Sequence, residues 1–424
     1  NDWSSTLPSE TRSYFYPSVA GSVVLSQFLP LPKAIDFWKV RGSWTVTKKD
    51  LDVYDTNNTY SISTDLWNGE SAAYYPSSIR GVTVKPSATR SYEIGTSMHF
   101  LQNRLKFDFT YYNKRYYNLT RSAGISDASG FNSTLINIDE EYVGKGVEIM
   151  ISGDILRGGD WNWTSSINWA RDRWKYTKID PLYSTQKPWV KAGERWDWYS
   201  VYDWERDSNG NLIHYNGFPK RSAYEKKIGH TYPDWTLGWS NVISYKNFTL
   251  SFSIDGRIGG IGHSYTEQAM WNSGVHIDSD NQWRYDEVVN GKKNFVGEGV
   301  KIVSGSVEYD ADGNITRDDR VFASNDVPVS YEVYMRGMNP HIGTVVRQNV
   351  FDKTFFKLRD LSLTYQVPTS LCSKLGLKGS SLSLVGQNLL IWTKEFRFAD
   401  PDAASDNLAS PSIRYVGFNV KLDF

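Results

Sequence analysis

The chain has a single cysteine, Cys372, so it can build neither an internal disulfide framework nor a cysteine-based zinc site. Cys372 itself reads as a small buried apolar residue. No run of about 18 consecutive apolar residues occurs, which excludes an ordinary membrane-spanning helix. An excess of one charge is also missing: 47 Lys+Arg against 47 Asp+Glu leave no basic surplus for nucleic acid and no acidic tail. Histidine is sparse. His99, His214, His230, His263, His276 and His341 form no HExxH and no pair at helical spacing, so neither a metal nor a cofactor is expected. The text begins at Asn1 without a charged and then apolar leader, so any export signal is expected upstream. A mean hydropathy of −0.49 does not exclude a membrane, because barrel strands alternate lipid-facing and lumen-facing residues.

Aromatics are abundant: 17 Trp, 27 Tyr and 19 Phe, with 33 Gly, favour strands over helices. Period-two alternation recurs in segments of about ten residues, the length of a tilted transmembrane strand. At the end of the chain Val416, Phe418, Val420, Leu422 and Phe424 fall on one face, and Gly417, Asn419, Lys421 and Asp423 on the other. Eleven strands are predicted, near 15–27, 37–47, 90–100, 104–113, 145–155, 161–170, 235–245, 248–258, 355–367, 381–392 and 414–424. A charge on the lipid face at mid-bilayer costs about 2–4 kcal/mol, so Lys106, Asp108, Asp255 and Arg257 are assigned to the lumen. Phe107, Phe109, Trp163, Leu237, Phe252, Leu363, Phe418 and Leu422 are assigned to lipid.

The predicted links alternate strictly in length. Short ones at 28–36, 101–103, 157–160, 246–247 and 368–380 take turns with long ones at 48–89, 114–144, 171–234, 259–354 and 393–413. Outer-membrane barrels have short periplasmic turns and long extracellular loops, whereas a soluble sandwich has no reason to sort loops by parity. The fold class is therefore all-β, an antiparallel transmembrane β-barrel. Trp235, Trp239 and Tyr245 are assigned to an interfacial girdle. Asp207 to Asn211 and Asp310 to Asn314 resemble the start of a calcium loop, but neither has a Glu at the twelfth position, and both are read as hairpin turns.

Phe355 to Pro368, FFKLRDLSLTYQVP, resembles the FxKLRxLSLTYxLP strand of the SusC/RagA family of TonB-dependent outer-membrane transporters. Gly386 to Thr393, GQNLLIWT, resembles the family's GQNLLxWT strand, Asp400-Pro401-Asp402 stands where the family has Asp-Pro-Glu, and Pro411 to Phe424 is similar to its terminus. The resemblance implies that residues 1–424 are the C-terminal part, about half, of a barrel of about twenty-two strands. The plug, the TonB-contacting segment and the first half of the barrel would then lie outside this chain. It further implies a SusD-like surface lipoprotein as partner, oligosaccharide or peptide as cargo, and the outer membrane of a Gram-negative bacterium as location. Phe418, Val420, Leu422 and Phe424 form the terminal assembly signal.

Two clusters of loop aromatics are candidate cargo contacts, because rings stack on sugar faces or grip peptide side chains at little entropic cost. Trp196, Trp198, Tyr199 and Trp204 fall in one long loop, and Trp271, Trp283 and Tyr285 in another. An outer-membrane hydrolase and a soluble carbohydrate-binding β-protein are the competing classes. The hydrolase lacks any motif that proposes a nucleophile and its base. The soluble protein predicts extraction without detergent.

Overall fold

A computed structural model describes residues 1–80, 83–340, 346–403, 406, 408 and 412–424. His341 and Pro411, named above, lie outside the described residues. Eleven long strands dominate: β1 (Ser18–Val24), β2 (Ile35–Lys49), β3 (Ser87–Phe100), β4 (Leu105–Tyr117), β5 (Glu141–Leu156), β6 (Trp161–Lys178), β7 (Trp235–Tyr245), β8 (Phe248–Ile258), β9 (Phe355–Gln366), β10 (Gly379–Thr393) and β11 (Tyr415–Asp423). Each matches one predicted strand. Their order in the sheet is their order in the chain.

Several strand ends run past their predicted limits. β4 runs on to Tyr117 instead of 113, β5 begins at Glu141 instead of 145, and β6 reaches Lys178 instead of 170. The added rungs carry charge, including an Arg115–Glu141 ion pair. Apolar alternation stops where lipid stops, but the hydrogen-bonded ladder does not need lipid and continues into water. β1 is shorter than predicted, because Leu25–Gln27 close as a single 3-10 turn. The links keep their parity: 25–34, 101–104, 157–160, 246–247 and 367–378 are short, and 50–86, 118–140, 179–234, 259–354 and 394–414 are long.

The chain divides into two compact units, Asn1–Gly153 with Ala170–Trp196, and Asp154–Trp169 with Asp197–Phe424. In the first, Phe107 lies between Met98 and Ile151, and Phe109 between Thr96 and Ile149. The same rows continue through Trp38 and Val40 of β2 to Val23 of β1. In the second unit, Phe252 lies opposite Leu361 and Leu250 opposite Leu363, and the latter row passes through Leu384 to Phe418. These rows are exposed: Leu384 is 57%, Phe418 62% and Val416 78% accessible. Polar residues also sit among them, and several meet an indole. Trp163 Nε1 donates to Asn241 Oδ1 (3.0 Å), Trp239 Nε1 to Ser165 Oγ (3.0 Å) and Trp38 Nε1 to Thr96 Oγ1 (2.9 Å), which lowers the cost of presenting polar groups to hydrocarbon.

Buried apolar side chains collect instead in the long loops, among them Val84 and Ile138 in the first unit and Ile213, Val329, Tyr331 and Val346 in the second. Such a distribution suits a wall solvated by lipid and loops solvated by water. The 259–354 loop holds three short helices, α1 (Tyr265–Ser273), α2 (Gln282–Asn290) and α3 (Tyr331–Met338), capped by the side chains of Ser264, Asn281 and Ser330. At the opposite rim, α4 (Thr369–Cys372) and a 3-10 turn end on Gly376 in the left-handed region, and Cys372 is buried there. Trp161 packs on Tyr245 (4.4 Å) and Phe248 on Tyr365 (4.8 Å) at that same rim, the aromatic girdle expected of an interface.

Candidate functional site

The lumenal face is built from alternating positions whose side chains cannot face lipid. In the first unit Arg41 forks Asp108, donating to both carboxylate oxygens (3.0 and 2.7 Å), and also donates to Ser97 (2.9 Å) and Thr110 (2.6 Å). This places Asp108 as predicted. In the second unit the FFKLRDL text of β9 is explained by its partners. Lys357 is almost fully buried and donates to Asp400 (2.5 Å) and Asp402 (3.3 Å), while Arg359 donates to Asp255 (2.6 Å) and to Asp402. Arg359 is the extra residue of a bulge against β8, where Ser253 pairs with Asp360 and Ile254 with Leu358, and the β9–β10 register also shifts beside it. The bulge aims its guanidinium at two carboxylates from different segments. Ser412 also donates to Asp400. Burial pushes the Asp400 carboxyl up, but Lys357 and Ser412 outweigh it and hold it below the usual carboxylate range. These bonds tie the 394–414 loop down onto β9.

The loop aromatics are placed as follows. Trp196 stacks on Tyr142 (5.5 Å) and meets Trp174 edge-on (6.5 Å). Trp198 lies against His230 (3.8 Å) with the Lys227 ammonium over its ring (3.4 Å). Tyr199 is half-buried, and burial pushes its hydroxyl up to about 12. Trp204 is 5% exposed, so its ring faces cannot stack on cargo. Trp271 stacks on His276 (4.0 Å) and lines a cleft of about 320 Å³ between α1, α2 and α3, with Arg284, Glu287 and Tyr331. Trp283 and Tyr285 project from α2 and remain exposed. Exposed stacking surface is thus kept by Trp283 and Tyr285, and partly by Trp196, Trp198, Tyr199 and Trp271. The two hairpin turns close alike: Asp207 accepts from the backbone of Asn209 and Asn211, and Asp310 from that of Asp312 and Asn314.

A titratable cluster escaped sequence reasoning. Glu267 of α1 is buried, and its Oε1 lies 3.4 Å from His276 Nε2. The Asp278 backbone N–H donates to His276 Nδ1 (3.1 Å), so Nε2 carries the ring proton and donates to the carboxyl. Burial pushes Glu267 up to about 7, against the attraction of Arg397, and holds His276 below its ordinary value. Glu267 Oε2 has no hydrogen-bond partner among the described residues. The only signal in the sequence was the Ser264–Glu267 spacing of a helix cap. Among the described residues no group of His, Cys, Asp and Glu is arranged to hold a metal.

No protein-family model matches the chain. It is 23% identical to TonB-dependent receptor P3 of Formosa agariphila, over all of this chain and 41% of the relative. To TonB-dependent receptor P26 of the same organism it is 21% identical, over 95% of this chain and 40% of the relative. It therefore spans about two fifths of the length of these curated relatives. The structure of the RagAB peptide transporter superposes with a TM-score of 0.72 at 18% identity, over 100% of this chain and 45% of that one. The RagAB peptide importer in the closed-closed state gives 0.71 at 19%. The shared fold is that of part of the barrel of a TonB-dependent outer-membrane receptor.

Proposed function

From a chain that aligns end to end with TonB-dependent receptors and folds as the RagAB barrel does, we propose that it forms the C-terminal wall and loops of an outer-membrane nutrient importer. The end-to-end likeness carries this reading. Cargo, an oligosaccharide or a peptide, would be received on the long-loop side and move when TonB, acting on a plug supplied by the rest of the protein, opens the lumen. A SusD-like lipoprotein is the partner that lids those loops. The chemistry needs no covalent catalysis, since translocation changes position and not bonds. An exposed apolar face running through Leu384 and Phe418 counts against a soluble carbohydrate-binding protein, which would have to cover it.

Uptake of labelled oligosaccharide and peptide mixtures by cells carrying the full-length gene, with and without TonB, tests the proposal. Accumulation is expected only with TonB. Uptake that persists without it would overturn the reading, as would a purified complex that lacks a surface lipoprotein for its stated partner.

A further inference from the structure

On the loop side of the second unit lies a cleft of about 710 Å³, within the range of small-ligand sites. Its floor includes Trp204 and Glu267, both more than nine-tenths buried. Each carries an unused buried polar atom: Trp204 Nε1 and Glu267 Oε2 have no hydrogen-bond partner among the described residues. A buried donor without a partner costs about 1–3 kcal/mol, a cost a ligand would relieve. The rim carries Arg206, Arg347, Lys394 and Arg397. Lys394 and Arg397 are matched by Asp352 (2.7 Å) and Asp278 (2.6 Å). Arg206 and Arg347 are matched by no carboxylate among the described residues; each spends one Nη1 on a backbone carbonyl, that of Gly210 (2.9 Å) and of Val350 (2.8 Å). Both are exposed, so the rest of each guanidinium fork is open to a ligand.

The geometry points to a recognition site for an acidic oligosaccharide, with Arg206 and Arg347 taking a sugar carboxylate and Trp204 and Glu267 taking neighbouring hydroxyls. A guanidinium fork fits a carboxylate in two parallel bonds, which an ammonium cannot match. Sugar hydroxyls both donate and accept, so they satisfy an indole N–H and a carboxyl oxygen side by side. Asp203 and Glu395 also line the cleft, but their charge is partly spent: Asp203 accepts from the Trp204 backbone (2.8 Å) and Glu395 from that of Asp352 (2.6 Å). A peptide would want apolar walls, and the cleft offers few beyond Val350 and Phe351.

The inference rests on the importer reading for its biological sense, but binding can be measured without transport. The full-length transporter in detergent, first checked for heat-modifiable migration as an assembled barrel, is titrated calorimetrically with galacturonate trimers to hexamers. Neutral galactose oligomers and Glu-rich and neutral peptides serve as comparisons. Galacturonate oligomers should bind, more weakly as salt rises, and the R206Q/R347Q double variant should weaken them by roughly tenfold or more while leaving neutral oligomers unaffected. Trp204→Phe, which keeps the ring and removes the N–H, should cost several-fold. Equal binding of neutral oligomers, preference for the acidic peptide, or parental affinity in the double variant would overturn the assignment. TonB-dependent uptake that survives such a result would leave the importer reading standing, whereas acid-sugar binding without TonB-dependent uptake would sink only that reading.

Discussion

Lys357 and Asp400 show what a single side chain carries here. Both are nearly fully buried, so the pair is held by mutual charge and not by solvent. Asp400→Asn leaves the Lys357 ammonium facing Asp402 alone, and breaking a buried pair from one side costs about 3 kcal/mol. The expected result is a lower melting temperature and protease nicking between 394 and 414, read by mass spectrometry; an uncut loop at parental stability would show the pair to be dispensable. Glu267 makes a pH-dependent case. Its carboxyl titrates near 7 in the fold against about 4.5 unfolded, so between those values the folded loop keeps a proton that the unfolded chain has released. Stability therefore falls as pH rises through that window and levels above it. His276 acts oppositely: burial keeps it neutral, and stability is lost as pH falls below 6.5. Asp278, Asp406 and Arg397 bear on the same groups. In Glu267→Gln only the histidine effect remains, and α1 should gain about 2 kcal/mol over the parent between about pH 5 and about pH 8. Hydrogen exchange of the α1 amides, corrected for intrinsic rates, measures it, and coincident profiles would contradict a carboxyl titrating near 7.

A strand tests its two faces against each other. On β11, Phe418 stands in the exposed row opposite Leu384, whereas Asn419 pairs with Ser383 on the other side. Phe418→Arg should cost about 2–4 kcal/mol in the bilayer and reduce assembled protein, while Asn419→Arg should be tolerated. Equal loss of heat-modifiable barrel from both would refute the facing assigned to this strand. Elements of this kind were legible because a wall in lipid obeys one rule, apolar out and polar in, at every second residue. The polar extensions of β5 and β6 were not, because above the bilayer nothing enforces the alternation. Nor were the loop elements. α1 begins at Tyr265 through a Ser264 cap but has little apolar face, and the strand Trp198–Trp204 pairs with the distant Arg221–His230. The aromatics of the candidate site were found by composition alone, which cannot tell the buried Trp204 from the exposed Trp283. The motif text of β9 was recognisable, but its reason, a bulged arginine between Asp255 and Asp402, needed coordinates.

At the scale of the molecule, β1 and β11 each pair with one neighbour only among the described residues. In hydrocarbon every unpaired N–H and C=O costs several kcal/mol, so two open rows cannot persist there. We infer that strands supplied by the rest of the protein cover both, making about half of a larger barrel. Residues 1–424 expressed alone should then fail to form a heat-modifiable barrel, and co-expression with the preceding region should restore it; a closed barrel from this segment alone would refute the half-barrel assignment. The strict parity of the links has a further consequence. In the second unit the chain reversal at 246–247 is short, while the long loops on the other side interlock: Ile213 pairs with Val300, and Arg320 donates to Glu205 (2.6 Å). The long strands take no register from those loops, so 197–234 and 259–354 make one cartridge: exchanged together between relatives, they would carry their recognition properties onto an unchanged chassis, and a lineage could change diet without relearning how to fold.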